Sequence, residues 1–145
     1  LPDIHNGTVL TPVDVQGWFL TNKDGYSMPG NPGVVYYNLR KDKENEWIYT
    51  QGRNDEIHIY GGKVVENLCQ HAARNVVLWQ TALVHRKYPV ALSVHDEVVC
   101  VVPEEDAEDC RAYMEYALTT APKWCRGVLP LAGEVAIGDS YGEAK

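Results

Sequence analysis

The chain has 145 residues, a length that suits one domain or part of one. A hydrophobic fraction of 45% and a charged fraction of 23% exclude a disordered tail, a collagen-like chain and a coiled coil. No apolar run approaches the roughly 20 residues of a membrane helix. The net charge of −7 argues mildly against a free-standing nucleic-acid binder, because such proteins are usually basic.

The amino terminus contains neither a signal peptide nor an initiator Met, so we expect a processed product or a fragment. The four cysteines show no C-x-x-C pair and no metal-finger spacing. We interpret them as buried free thiols of a reducing compartment and expect a cytoplasmic protein without a membrane partner. The cysteines are Cys69, Cys100, Cys110 and Cys125.

Residues 1–60 are rich in turn-forming residues and lack helical periodicity. Short β-like runs at residues 34–37 and 47–50 flank the charged stretch 40–44, and this pattern predicts two strands around an exposed loop. A turn near residues 53–56 leads into a further β-like run. We therefore expect an irregular, meandering region.

Residues 63–87 carry apolar side chains at steps of three and four, which predicts a long helix with one buried face. Pro89 follows its end, where helices commonly stop. The predicted buried face consists of Val65, Leu68, Ala72, Val76, Trp79 and Leu83. The opposite face carries a polar stripe of Lys63, Asn67, Gln70 and Arg74, which is either a solvated face or a surface for nucleic acid.

Residues 90–102 consist of two arms rich in β-branched residues, which predicts a β-hairpin with His95, Asp96 and Glu97 at its tip. A simple turn would favour Asn-Gly or Asp-Gly. An aspartate at a strand end can hold Mg²⁺, and a neighbouring histidine can contact a phosphate. The alternative interpretation is a solvated polar turn.

Pro103 and three acidic residues open a second predicted helix, at about 104–118, with Ala107, Cys110, Met114 and Leu118 on its buried face. The pattern of residues 129–137 predicts a last strand, and a short tail follows. The predicted fold class is α+β. An antiparallel sheet with a β-hairpin at about 90–102 is packed by a long helix at about 63–87 and by the second helix.

Three segments together resemble the carboxy-terminal part of a family A, polymerase I-like DNA polymerase of the phage type. Val94-His95-Asp96-Glu97 resembles the third catalytic motif of that family, at a hairpin of the palm domain. The closing Gly-Glu-Ala-Lys is close to the ending of the family. The helix that precedes the motif is matched by Tyr60-Gly61-Gly62-Lys63, Glu66-Asn67, Gln70 and Ala73-Arg74-Asn75, where Asn75 stands in place of the usual Asp.

The resemblance implies that residues 1–145 are the distal part of a polymerase palm, with a meander at 1–60 and the helix, catalytic hairpin, second helix, last strand and tail at 61–145. It implies nucleotidyl transfer during DNA replication, in which a primer 3′-hydroxyl attacks the α-phosphate of a deoxynucleoside triphosphate with two Mg²⁺ ions. Asp96 would be one of two metal-binding aspartates, His95 would contact the primer-terminal backbone, and Glu97 would support the site. Gln70, and less directly Asn67, Arg74 and Lys63, would face the minor groove near the primer end.

The family's other catalytic aspartate and its nucleotide-binding fingers have no counterpart in these residues. The resemblance therefore implies an upstream polymerase segment as a partner, besides primer-template DNA and the nucleotide, in a bacterial or phage-infected cell. The isolated chain would be inactive. Two alternatives remain open: a non-catalytic palm remnant that acts as an interaction module, and a metal-dependent phosphoesterase that uses Asp96, Glu97 and His95.

Overall fold

The computed structural model describes the backbone of residues 20–22 and 25–27 and both backbone and side chains of residues 34–144. This part of the chain combines antiparallel strands with two α-helices, so the predicted α+β class is confirmed. It divides into two compact units, which we call the N-terminal unit (described residues up to His71) and the C-terminal unit (from Ala72 onward). None of the described helices is long and apolar enough to cross a membrane.

The strands are short and all their pairings are antiparallel, in sheets of order β1-β2-β3, β4-β5-β6 and β7-β8. The strands are β1 (Leu20–Asn22), β2 (Gly25–Ser27), β3 (Val34–Val35), β4 (Tyr37–Lys41), β5 (Trp47–Gln51), β6 (Asp55–His58), β7 (Val90–Val94) and β8 (Glu97–Cys100). The helices are α1 (Gly61–His85) and α2 (Ala107–Thr119), and a 3₁₀ turn (Glu104–Asp106) precedes α2.

Strands β4, β5 and β6 of the N-terminal unit form a meander, as predicted. The predicted run 34–37 is divided between β3 and β4, and β6 begins at Asp55, within the predicted turn. Strand β4 continues through Lys41, so the connecting turn is shorter than the predicted charged loop. The charged residues extend the strand because Arg40 and Lys41 pair with β5, and the Arg40 guanidinium also contacts Glu56 of β6 at the sheet surface. Ile48 of β5 is only 3% exposed and anchors the sheet in the interior of this unit.

Helix α1 begins and ends two residues earlier than predicted. It begins early because the Val64 amide donates to the Tyr60 carbonyl at 3.0 Å, which closes the first turn ahead of Lys63. It ends early because the amides of Arg86 and Lys87 donate to carbonyls three residues back, in the tighter 3₁₀ pattern that commonly ends a helix.

The buried face of α1 is partly different from the predicted one. Val76 is buried as predicted, but Val65 is 44% exposed and its neighbour Val64 is buried instead. The buried side chains form a ridge in which one residue in every four is buried, and each step of four residues shifts the position by about 40° around the helix. This ridge starts at Val64, so Val65 lies beside it and the prediction for Val65 is wrong. The residues of this ridge are Val64, Leu68, Ala72, Val76, Gln80 and Val84, and all of them are buried or half-buried.

The core of the C-terminal unit forms where the end of α1 meets α2. Val84 of α1 packs with Cys110, Met114 and Ala117 of α2. This confirms the predicted burial of Cys110 and Met114, whereas Ala117 was not predicted and the predicted Ala107 and Leu118 are half-buried. Side chains of the hairpin arms, among them Val90 and Val98, complete this core. The predicted order of helix, hairpin and helix therefore folds around one apolar cluster in this unit.

The hairpin of β7 and β8 lies within the predicted range of 90–102, although β8 stops at Cys100. Val101, predicted to continue the second arm, is 73% exposed, and Pro103 lies just beyond it. The pairing register shifts between Val90 and Leu92, which marks a bulge in β7.

The last predicted strand is wrong, since residues 129–137 form no strand with any described part of the chain. Their side chains do alternate between half-buried and exposed, and Val135 packs against the core of the C-terminal unit. Gly133 lies so close to α2 that an added Cβ would stand 2.7 Å from the Leu118 Cβ. The alternating pattern thus reflects packing on α2 rather than a hydrogen-bonded strand.

The four cysteines are free thiols, as predicted, but they are not all buried. Cys110 and Cys125 are buried, Cys100 is half-buried, and Cys69 is exposed on α1, where the prediction of burial is wrong. Burial, together with the neighbouring Cys110, raises the pKa of Cys100 to about 11. Cys69 is therefore the thiol that a reagent in solution can reach most directly.

Candidate functional site

The tip of the hairpin is a two-residue turn formed by His95 and Asp96. Val94, the last residue of β7, pairs directly with Glu97, the first residue of β8, so the turn residues project beyond the last pair. His95, Asp96 and Glu97 are all exposed. The structure therefore brings the three candidate residues together at one end of the hairpin, with their side chains accessible to a ligand.

The backbone of His95 has a positive φ of 52°, which is uncommon for a residue with a side chain. Only Asn38 and Asn45 share this property among the described non-glycine residues. The left-handed conformation costs a residue with a Cβ about 1–2 kcal/mol, and glycine would avoid that cost. A turn selected for stability alone would therefore have glycine, and not histidine, at position 95.

Glu97 is held by a residue from the tail of the chain. The Tyr141 hydroxyl donates a hydrogen bond to the Glu97 carboxylate across 44 residues of sequence. The tail folds back on itself at this point, since the amides of Glu143 and Ala144 donate to the Ser140 carbonyl at 3.0 and 3.1 Å. The structure thus joins two segments that each carry part of the family resemblance.

Sequence reasoning missed Tyr141 because its contact with Glu97 depends on the tertiary path of the tail. The available signal was its position within the family-like ending, next to Gly142 and Glu143. A tyrosine hydroxyl that donates to a carboxylate fixes the orientation of that group. Glu97 consequently has one oxygen engaged, whereas Asp96 accepts no hydrogen bond from any described residue.

Among the described residues, fewer than three possible metal ligands converge at the hairpin tip. In the described residues, no group of three His, Cys, Asp or Glu donors within 4.8 Å of one another includes Asp96. A single exposed carboxylate suits Mg²⁺, which keeps several waters and is commonly held by one or two carboxylates together with substrate phosphates. The donor set of the tip alone would hold the ion weakly.

The polar stripe of α1 contains residues of two kinds. Gln70 and Arg74 are exposed and make no hydrogen bond or ion pair with described residues. Lys63 donates to Glu66 at 3.0 Å, and this carboxylate raises the pKa of the lysine. Asn67 is half-buried and donates to the Tyr36 hydroxyl at 3.0 Å, so its amide has a structural role within the N-terminal unit.

Lys63, Asn67 and Gln70 belong to the N-terminal unit, whereas Arg74 and the hairpin tip belong to the C-terminal unit. Asn75, where the resembled motif usually has Asp, is only 7% exposed. A neutral amide is less costly to bury than an ionised carboxylate, which gives this substitution a physical reason within the present chain.

Comparison with known proteins relates part of the chain to a DNA polymerase. A DNA polymerase of Bacillus phage SP02 is 31% identical to the chain over 93 residues. This stretch is 62% of the present chain but only 14% of that polymerase, so the chain spans a small part of the length of its relative. No protein-family model matches the chain. No solved structure matches it either. The resemblance to a polymerase is thus confirmed at the level of a partial relation to a phage DNA polymerase.

Proposed function

We propose that the chain is the distal part of the palm of a family A DNA polymerase and that it contributes one metal-binding aspartate and contacts to the primer end. The hairpin tip is the observation that carries this proposal: a backbone-strained His95 stands beside a fixed Glu97 and an exposed Asp96 that accepts no hydrogen bond from the described residues. The similarity to a phage DNA polymerase supports the reaction class. The reaction is the attack of a primer 3′-hydroxyl on the α-phosphate of a deoxynucleoside triphosphate.

Each tip residue has a role that follows from its environment. Asp96 would hold Mg²⁺ through its free carboxylate; when bound, the ion stabilises negative charge that develops on the attacking and leaving oxygens. His95 presents its imidazole at the exposed end of the hairpin and would donate a hydrogen bond to a primer phosphate. Glu97, oriented by Tyr141, would hold the hairpin end in place and add negative charge beside Asp96.

On α1, Gln70 is the strongest candidate for a contact with the minor groove. Its side-chain amide is exposed and unengaged, and it can both donate to and accept from base edges. Correct base pairs present minor-groove acceptors in similar places, so such a contact tests the shape of the pair rather than its sequence. Arg74 would contact phosphate, whereas Asn67 and Lys63 are already engaged by Tyr36 and Glu66.

The test of this function is Asp96→Asn in the polymerase that contains this chain, either at full length or reconstituted with its upstream segment. Single-turnover primer extension should fall by at least about 100-fold, because the loss of a metal ligand removes several kcal/mol of transition-state stabilisation. Binding of primer-template DNA should change little, because phosphate contacts elsewhere dominate affinity. The matched control is Asp109→Asn, which removes an exposed carboxylate of α2 and should leave extension unchanged.

Gln70→Ala in the same assay should leave the Mg²⁺ dependence of extension unchanged and reduce the preference for a matched over a mismatched primer end. Near-normal extension by Asp96→Asn would contradict the proposed metal site. Equal mismatch discrimination by the wild type and Gln70→Ala would contradict the proposed groove contact. If Asp96→Asn lost DNA binding as well as extension, its role would be structural and the proposed metal ligand would again be wrong.

A further inference from the structure

A second group of potential metal ligands lies in the N-terminal unit, at one end of the β4-β5-β6 meander. The turn from β4 to β5 carries Asp42 at its start and Glu46 at its end, and β6 ends at His58. His58 pairs with Ile48, the second residue of β5, so all three side chains lie at the same end of the strands. One ligand atom from each lies within 4.8 Å of the other two.

The turn that carries the two carboxylates is fixed by its own hydrogen bonds. Asp42 Oδ1 accepts from the amides of Glu44 and Glu46 at 2.8 and 2.9 Å. The Asp42 amide donates to the Glu46 carbonyl at 2.9 Å. Because both side-chain bonds use the same oxygen, the second oxygen of Asp42 remains available to a ligand.

Among the described residues, the imidazole of His58 is the nitrogen-bearing side chain that approaches the carboxylates of this group. His58 Nδ1 lies 3.1 Å from Glu46 Oε2, whereas no Lys or Arg among the described residues pairs with the Asp42 or Glu46 carboxylate. Two lysines flank Asp42 in the chain. Lys41 donates instead to the Asn45 side chain at 2.8 Å and lies over the Trp47 ring, and Lys43 is exposed. Two carboxylates therefore face one histidine without a basic side chain between them.

The kinds of atom in this group favour a particular class of ion. Imidazole nitrogen combined with carboxylate oxygen suits divalent first-row transition metals, whereas Mg²⁺ and Ca²⁺ prefer oxygen alone. Zn²⁺ takes such ligands at about 2.0–2.2 Å, which places neighbouring ligand atoms roughly 3.4 Å apart in a tetrahedral site. The 3.1 Å between His58 Nδ1 and Glu46 Oε2 is close to that spacing.

We propose that Asp42, Glu46 and His58 form a binding site for a divalent first-row transition metal ion, with Zn²⁺ preferred and water completing its coordination. The bound ion would bridge the 3.1 Å contact between His58 Nδ1 and Glu46 Oε2, and it would tie the β4–β5 turn to the end of β6. This site is separate from the hairpin tip, and it stands whether or not the chain functions in a polymerase.

The test is a metal titration of the 145-residue chain carrying Cys69→Ser, which removes the exposed thiol that would otherwise compete for the ion. Visible absorption of bound Co²⁺, followed by displacement with Zn²⁺, should report one site per chain. Glu46→Gln and His58→Gln should each weaken binding by at least about tenfold, as the loss of an interaction at a metal site typically does. Glu44→Gln is the matched control, because it removes an exposed carboxylate from the same turn and should leave the affinity unchanged.

Asp42→Asn provides a sharper variant, since an amide oxygen can still accept the two turn hydrogen bonds while the carboxylate charge is lost. It should weaken binding with an unchanged far-ultraviolet circular dichroism spectrum. The proposal is overturned if the parent chain binds no Co²⁺ or Zn²⁺ in a one-to-one ratio, or if Glu46→Gln and His58→Gln bind as tightly as the parent. Displacement of Co²⁺ by an equal concentration of Mg²⁺ would also overturn it, because the donor set would then not select for transition metals.

Discussion

At the scale of single residues, the hairpin tip has a histidine at a position where glycine would be more stable, and the side chain of this histidine is exposed. A two-residue hairpin turn is most stable with glycine where the backbone requires a positive φ, and this chain places His95 there instead. Strained positions of this kind concentrate at functional sites, where the surrounding structure keeps them in place. The adjacent strand pair of Val94 and Glu97 supplies that support.

This interpretation predicts opposite effects of His95→Gly on stability and on function. Unfolding free energy should not fall, and should rise by up to about 1 kcal/mol, because glycine adopts a positive φ without strain. Primer extension by the complete polymerase should fall by at least about tenfold, since a hydrogen bond to a charged phosphate is lost. Denaturant unfolding and single-turnover extension measure the two quantities.

Asn38→Gly is the control, because Asn38 has a similar φ of 54° and lies in β4, away from the hairpin sequence. It should leave extension unchanged, and it should relieve less strain than His95→Gly, because asparagine tolerates a positive φ better and the Asn38 side chain donates to the Thr50 hydroxyl at 3.4 Å. Normal extension by His95→Gly would show that the imidazole makes no contact with the primer. A clear loss of stability would instead show that His95 supports the fold of the hairpin.

At the scale of secondary structure elements, the ridge of α1 contains a polar residue that connects the two helices of the C-terminal unit. Gln80 is only 5% exposed and donates its side-chain amide hydrogens to the carbonyls of Leu118 and Thr120. Carbonyls at the end of a helix have no partner within the helix, and they need one when they are buried. Gln80 thus satisfies the carboxyl end of α2 from the neighbouring helix.

Gln80→Ala should lower the free energy of unfolding by about 1–3 kcal/mol, because it leaves two half-buried carbonyls without this donor. Gln70→Ala, the same change at an exposed position of the same helix, should change it by less than about 0.5 kcal/mol. Chemical denaturation of both variants, followed by circular dichroism, provides the comparison. Equal stability of the two variants would mean that water replaces the Gln80 amide, and that the helices are held together by apolar packing alone.

The sequence predicted those elements that local patterns determine. Helix α1 and the hairpin follow from residues close together in the chain, so periodicity and β-branched residues identified them within two residues at most ends. Residues 129–137 show the limit of this approach, because alternating side chains indicate which face is buried but not whether a neighbouring strand is present. The predicted burial of Val65 was wrong because apolar steps of three and four residues are compatible with more than one buried row. The pattern did not show that the buried row starts at Val64.

Tertiary contacts account for most of what the sequence did not predict. Tyr141 meets Glu97 across 44 residues, and Asp42 meets His58 only because the meander returns β6 to the same end of the strands. The candidate residues at the hairpin tip were predictable because they are consecutive in the chain. Their proposed roles rest on the family resemblance and on the site geometry together.

At the scale of the whole molecule, the charge and the sheet sizes bear on what the chain can do alone. A net charge of −7 opposes association with the phosphate backbone of DNA. The hairpin of β7 and β8 is a two-stranded sheet among the described residues, and such sheets depend on packing against other elements for their stability. The hairpin has such packing within this chain, on the core of the C-terminal unit, so the net charge is the feature that suits the proposed role as one part of a larger polymerase.

We therefore expect the purified 145-residue chain to extend no primer and to bind primer-template DNA weakly. Two-metal catalysis holds ions about 3.5–4 Å apart, and the described part of the tip supplies a single free carboxylate to that geometry. Extension of a labelled primer with Mg²⁺ and nucleotides measures activity, and a parallel preparation of Asp96→Asn controls for contaminating polymerases. Addition of the upstream polymerase segment should restore extension to the wild-type chain but not to Asp96→Asn. Extension by the chain alone that Asp96→Asn abolishes would show that these 145 residues form a complete active site, and the proposed division of the palm would then be wrong.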